Sequence, residues 1–224
     1  MNSMDPKNQR EEFVKRLTKW YKMSGRRFSW RERNLTPYEV LVLEILLQRT
    51  MAQRVDRLFP EFSRKYPNAR VLDSTPKKQL VSDIETLGLE ERRAKILKDL
   101  ARVLVREWNG EVPESVDDLA QLPGVGPYVA NAISCFSRQR AVPLVDTNVG
   151  RVLHRVFALP VSRNPSSDRH LWTFVKDLVP RMKAKEFNWA LIDLGAMVCR
   201  PRNPLCDTCP MSSLCIYRGT TNQF

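Results

Sequence analysis

The sequence predicts an all-α protein. Apolar residues recur at helical spacing in one segment after another, and strand-like alternation is scarce. A Gly-containing turn, Leu122-Pro123-Gly124-Val125-Gly126, also joins two helical stretches into a helix-hairpin-helix. Neither low-complexity tracts nor clear internal repeats interrupt the pattern. With 224 residues, the chain can build one large or two small domains around a normal core.

Residues 1–8 are polar and expected to fray. From Gln9 to Met23, Phe13, Leu17, Trp20 and Tyr21 fall at helical spacing. Gly25-Arg26-Arg27 breaks that helix, and Phe28-Ser29-Trp30-Arg31 reads as an irregular segment. Thr36-Pro37 then supplies an N-cap and a first helical residue for a strongly apolar helix from Tyr38 to about Thr50. Glu44 is the carboxylate inside its VLVLEILLQRT run. Two readings stand open from the residues alone: a solvated face, or a buried group that needs a partner or a task. Further helices are predicted over Ala52–Tyr66, Pro76–Leu87 and Glu90–Trp108. Asn109-Gly110 ends the last of these, and Ser115 with Asp118 forms a capping arrangement before the first helix of the hairpin. Pro127 opens the second helix, and Cys135 along it reads as a core residue. Val149–Phe157, Asp168–Arg181 and Glu186–Val198 complete the helical set.

A net charge of +12 and a pI near 9.8 point to an anionic partner, with nucleic acid ahead of a membrane surface. No apolar run approaches the roughly 20 residues that span a bilayer. The N-terminal MNSMDPKNQREEF lacks the apolar stretch of a signal peptide. A cytoplasmic protein with reduced cysteines is the expectation, nucleoid-associated if prokaryotic.

Two patterns carry chemistry. Cys199, Cys206, Cys209 and Cys215 form a C-x6-C-x2-C-x5-C array, compact enough for four thiolates to converge on one centre. Zinc and a [4Fe–4S] cluster both accept such a set. Asp146 follows Gly126 by twenty residues, at the end of an apolar patch and before Thr147-Asn148. An Asp in that position also reads as a helix cap. In the hairpin, the N–H groups at the start of the second helix suit an anion such as a DNA phosphate.

LPGVG, the Asp twenty residues on and the cysteine spacing together resemble the helix-hairpin-helix (HhH-GPD) DNA glycosylases of the endonuclease III and MutY superfamily. The match runs from about Phe28 to Tyr217. The resemblance implies two helical domains flanking a DNA-binding cleft. One is a six-helix barrel over residues 29–138 that carries the hairpin. The other, formed by residues 1–28 and 139–224, holds a [4Fe–4S] cluster on the four cysteines and presents a basic loop with Arg200 and Arg202. The hairpin and Asp146 would lie at the mouth of the cleft. Asp146 matches the family's catalytic Asp, which stabilises an oxocarbenium-like sugar or activates water. Tyr128 stands where strand-cutting members carry a Schiff-base lysine, which implies a monofunctional enzyme that leaves an abasic site. Gly124, Val125 and Gly126 would meet DNA, Asn148 would support the carboxylate or touch the DNA backbone, and the base would leave the duplex. By position, Arg49 and Leu89 would fill the gap, with Gln48 nearby.

Two subfamilies compete for the base. Adenine-mismatch glycosylases of the MutY type are similar at Trp30, EILLQRT and LIDLGAMVC, and use a Glu at the position of Glu44 to protonate adenine. They carry Tyr-Tyr where this chain has Leu89-Glu90, Asp-Gly-Asn where it has Asp146-Thr147-Asn148, and a further C-terminal domain, whereas this sequence ends nine residues after Cys215. Thymine-mismatch glycosylases of the Mig type share the Glu, Tyr and Asp, have Arg at the position of Arg49, and end soon after the cluster. The expectation is therefore removal of thymine or uracil opposite guanine from mismatched double-stranded DNA by a monomer. Adenine excision, or a non-catalytic DNA-binding module, is the alternative.

Overall fold

The computed structural model describes residues 5–221, with side chains to 218. Among these the regular structure is helical throughout: α1 (Pro6–Ser24), α2 (Pro37–Leu47), α3 (Ala52–Lys65), α4 (Ala69–Ser74), α5 (Lys77–Ile84), α6 (Glu90–Glu107), α7 (Val116–Gln121), α8 (Pro127–Phe136), α9 (Thr147–Phe157), α10 (Arg169–Leu178), α11 (Ala184–Met197) and α12 (Ile216–Thr221). Residues 1–4 of the segment expected to fray lie outside the described residues. The rest of it enters α1, because the Asp5 carboxylate accepts from the N–H groups of Lys7 and Asn8 and Pro6 opens the first turn. No helix among the described residues is long and apolar enough to cross a membrane.

The chain divides into two compact units, residues 27–139 and residues 1–26 with 140–224. In the first, α2 is the central element. A capping box starts it: the Thr36 hydroxyl accepts from the Glu39 N–H at 3.2 Å, and the Glu39 carboxylate accepts from the Thr36 N–H at 2.9 Å. Every residue from Val40 to Leu46 is buried, so the helix has no wet face, and α3, α6 and α8 pack around it. It ends at Leu47 rather than near Thr50, because Arg49 takes a left-handed conformation (φ +54°) that no α-helix accommodates. α4 was not legible in the sequence. Its six residues are too few for a period to show, and an Asn68 cap on the Val71 N–H starts it. Ser29–Arg31, expected to be irregular, forms a 3₁₀ turn.

In the second unit α11 packs against α1 and α9, and α10 and α12 complete the layer. Phe13, Leu17, Val152, Leu153, Val175, Phe187 and Leu194 form its core. The Asp193 carboxylate is fully buried on α11 and is held by Arg26, whose backbone N–H donates at 2.8 Å and whose Nε donates at 2.7 Å. This pairing anchors Arg26, two residues past the end of α1, to α11. A buried carboxylate survives only with such partners. Asp168, expected inside a helix from 168 to 181, is instead the N-cap of α10, with the Leu171 N–H on its carboxylate at 3.1 Å.

Candidate functional site

The helix-hairpin-helix forms as the sequence predicts. Ser115 caps α7 through the Asp118 N–H, the turn runs from Leu122 to Gly126, and Pro127 is the first residue of α8. Gly124 has φ +79°, and a Cβ there would lie 2.6 Å from Cγ2 of Ile96 and 3.0 Å from Cδ1 of Ile45, so the turn is seated directly on α6 and α2. At Gly126 nothing lies within 4 Å of where a Cβ would be. Gly126, the N-cap of α8, has no side chain with which to cap the first turn. Val125 is buried beneath the turn, and Tyr128 is half-buried in the first turn of α8.

Gln48 leads from α2 to the hairpin, its Nε2 donating to the Gly124 carbonyl at 3.1 Å. Arg49 is exposed beside it. Leu89 is 52% exposed and left-handed (φ +55°), which excludes it from the core. Glu44 takes the buried alternative, at 6% exposure within α2. Its solvated-face reading fails because α2 is packed on all sides.

In the other unit, Asp146 is the N-cap of α9 and more. Its Oδ1 accepts from the Val149 N–H at 2.8 Å, and its Oδ2 accepts from Asn148 Nδ2 at 2.8 Å. The helix cap and the carboxylate singled out for chemistry are thus one group, held by both oxygens at the positive end of a helix. Asn148 is fixed in turn by Arg151, whose Nη2 donates to Asn148 Oδ1 at 2.8 Å and to the Gly195 carbonyl at 2.8 Å. Arg151 Nε donates to the Cys199 carbonyl at 2.7 Å. Gly195 has no room for a side chain, since a Cβ would sit 2.6 Å from Cβ of Asn148. The sequence reading missed Arg151. Its only signal was a basic residue in the first turns of a helix, which usually means a solvated charge.

All four cysteines of the array line one small pocket together with Val152, Val156, Leu194, Val198 and Met211. None of them forms a disulfide. Burial pushes the Cys209 thiol up to about 11, and the proximity of Cys199, Cys215 and Cys206 adds to the rise. Burial and neighbouring cysteines push Cys215 up as well. Cys209 and Cys215, whose ionisation is opposed by burial and by the neighbouring cysteines, fit a cationic inorganic centre, which would relieve that cost. Arg155 braces the loop, donating to Cys199 Sγ at 3.5 Å, to the Arg200 carbonyl at 2.7 Å and to the Pro201 carbonyl at 3.0 Å. Arg200 and Arg202 are exposed. Cys135 is buried in α8, as expected.

A helix-hairpin-helix and a pocket lined by four cysteines define a class, and comparison with known proteins agrees. Residues 42–177 match the model of the HhH-GPD superfamily base excision DNA repair proteins, and residues 199–215 match the iron-sulfur binding domain of endonuclease III. The chain belongs to the HhH-GPD superfamily and is a DNA glycosylase with an iron–sulfur binding domain. It is 36% identical over 208 residues to a thymine/uracil-DNA glycosylase of Methanothermobacter thermautotrophicus, covering 93% of this chain and 94% of that protein. It is 38% identical to an adenine DNA glycosylase of Mycobacterium tuberculosis, over 90% of this chain and 66% of that protein. The solved structure of a thermostable thymine-DNA glycosylase superposes with a TM-score of 0.90 at 36% identity, covering 96% of this chain and all of that one.

Proposed function

We propose that the protein is a monofunctional glycosylase that hydrolyses the N-glycosidic bond of thymine or uracil mispaired with guanine in double-stranded DNA, acting as a monomer after the base is flipped out. The carboxylate of Asp146 carries the chemistry. Both of its oxygens are hydrogen-bonded, so it is preorganised to face the positive charge that develops on the sugar as the bond breaks, or to accept a proton from attacking water. Asn148 is its positioning partner. Glu44 hydrogen-bonds the extruded base as an acceptor from its N3–H: a pyrimidine leaves with charge on its oxygens, so the carboxylate orients the base rather than protonating it. Tyr128 occupies the place of the lyase lysine and offers no amine, so the sugar is not attacked by the protein and the strand stays intact. The backbone of Gly124, Val125 and Gly126 receives a phosphate. Gln48 braces this hairpin, and Arg49 and Leu89 reach into the duplex.

The choice of base is supported by similarity over almost the whole length of the thymine/uracil-DNA glycosylase, by Arg49 and by the Asp146-Thr147-Asn148 triplet. Cys199, Cys206, Cys209 and Cys215 would hold a [4Fe–4S] cluster. What supports a cluster is the match of residues 199–215 to an iron-sulfur binding domain, together with the apolar wall the four thiols share. When bound, the cluster supplies iron–thiolate bonds that tie residues 199–215 into one rigid loop, with no part in the glycosidic step. Iron and acid-labile sulfide analysis checks it, and zinc in their place would contradict it.

The buried Glu44 and the similarity to the adenine DNA glycosylase favour one second reading, in which Glu44 protonates a departing adenine. Four end-labelled duplexes separate the two: T·G, U·G, A·G and A opposite 8-oxoguanine, each followed by alkali. Cleavage at T or U only after alkali is expected. Cleavage at A would establish the second reading, and cleavage without alkali would overturn the monofunctional assignment.

A further inference from the structure

Arg49 and Leu89 share an uncommon feature: each is a non-glycine residue in the left-handed region, at φ +54° and +55°. Such a conformation crowds Cβ against the backbone and persists only where the surroundings enforce it. One side chain reaches both places. Arg93, on the first turns of α6 and only 4% exposed, donates from Nη2 to the Gln48 carbonyl at 2.8 Å and from Nη1 to the Gly88 carbonyl. These are the carbonyls of the peptide bonds that lead into Arg49 and Leu89. The orientation of a peptide plane sets φ of the residue that follows it, so one planar guanidinium fixes the left-handed turn at both residues. Nη2 also donates to Thr50 Oγ1 at 2.6 Å. Gln48, whose carbonyl Arg93 holds, reaches the hairpin through its own amide on the Gly124 carbonyl.

We propose that Arg93 is a positioning residue that locks Arg49 and Leu89 into a single preformed two-pronged wedge, in register with the hairpin, so that base extrusion does not bear the cost of ordering two loops. This rests on the proposed reading of both residues as the groups that enter the duplex. The fork fixes direction as well as contact: its N–H donors are coplanar and rigidly placed, whereas a lysine's ammonium turns freely about its stem. The sequence hides the residue, because the Glu90-Glu91-Arg92-Arg93 run reads as a solvated charged face.

The test uses the holo protein and duplexes with 2-aminopurine beside a G·T or G·U mismatch, whose fluorescence rises when the neighbouring base is extruded. Arg93→Lys is expected to reduce the extrusion equilibrium about tenfold, the scale of losing one enforced backbone strain element. The melting temperature is expected to fall, because a buried fork gives up carbonyl bonds, while affinity for a fully matched duplex stays close to the parent's. A merely structural residue would lower all three together, and that outcome, or an undiminished fluorescence gain, overturns the proposal. Should Arg93→Lys fail to fold, Thr50→Val decides: it removes one acceptor of the clamp and is expected to reduce the gain at unchanged melting temperature, while an unchanged gain overturns it. A parent protein with no gain on either mismatch would instead overturn the proposed pyrimidine reading and the clamp with it.

Discussion

Replacing Asp146 by Asn separates the two tasks of one carboxylate. Asn caps helices about as well as Asp, so the bond from the Val149 N–H to the position of Oδ1 is retained. The bond from Asn148 Nδ2 to Oδ2 is lost, because an amide nitrogen then faces another. A hydrogen bond to a charged group is worth about 1.5–3 kcal/mol. Asp146 is only half-buried, so the stability loss should lie near the low end, about 1–2 kcal/mol. The catalytic loss is larger: removing a preorganised electrostatic contact from a transition state costs about 10²–10³-fold in rate, roughly 3–4 kcal/mol. Asp146→Ala also forfeits the cap and should lose about 1 kcal/mol more in stability. Single-turnover excision from a G·T duplex with protein in excess gives the rate, and urea unfolding of the same preparations gives the stability. Turnover of the Asn variant equal to the parent's would refute the catalytic assignment outright.

Gly124→Ala should cost about 2–4 kcal/mol, combining a left-handed Cβ with a clash on Ile96, and should weaken binding to undamaged duplex; urea midpoints and anisotropy titrations check this. Arg151→Met is expected to lower stability by about 2–3 kcal/mol, since it abandons the carbonyls of Cys199 and Gly195. It should also slow excision at unchanged DNA affinity, because Asn148 is no longer fixed under Asp146. Glu39 gives a pH signature. Burial pushes its carboxyl up, but hydrogen bonds from Thr36 and Ser63 and the Arg33 charge outweigh it and hold the group below its ordinary 4.5. Its contribution is then complete above pH 4.5 and lost as pH falls through the lower folded value. Urea midpoints measured on both sides of pH 4.5 should fall on acidification in the parent and fall less in Glu39→Gln.

The helical framework was legible because period and caps coincide: Thr36-Pro37, Ser115 and Pro127 all mark helix starts where the structure has them. Asp146 was legible both as a cap and as a chemical group, and it is held as a cap. Glu44 could not be placed from its segment, because a helix apolar on every side has no period from which to tell in from out. The left-handed turns at Arg49 and Leu89 left no trace, since nothing in an Arg or a Leu announces positive φ. Arg93 and Arg151 were hidden for a related reason. Each is a cation in a charged or amphipathic helix, and only long-range contacts turn it from a surface charge into a bracket.

The most direct test of the central claim is mass spectrometry of the products from a G·T duplex, with and without borohydride during the reaction. Free thymine and an unbroken strand bearing an abasic site, with no protein–DNA adduct on reduction, is the predicted result. Release of adenine from a companion A·G duplex with no thymine from G·T, or a borohydride-trapped adduct, would contradict it.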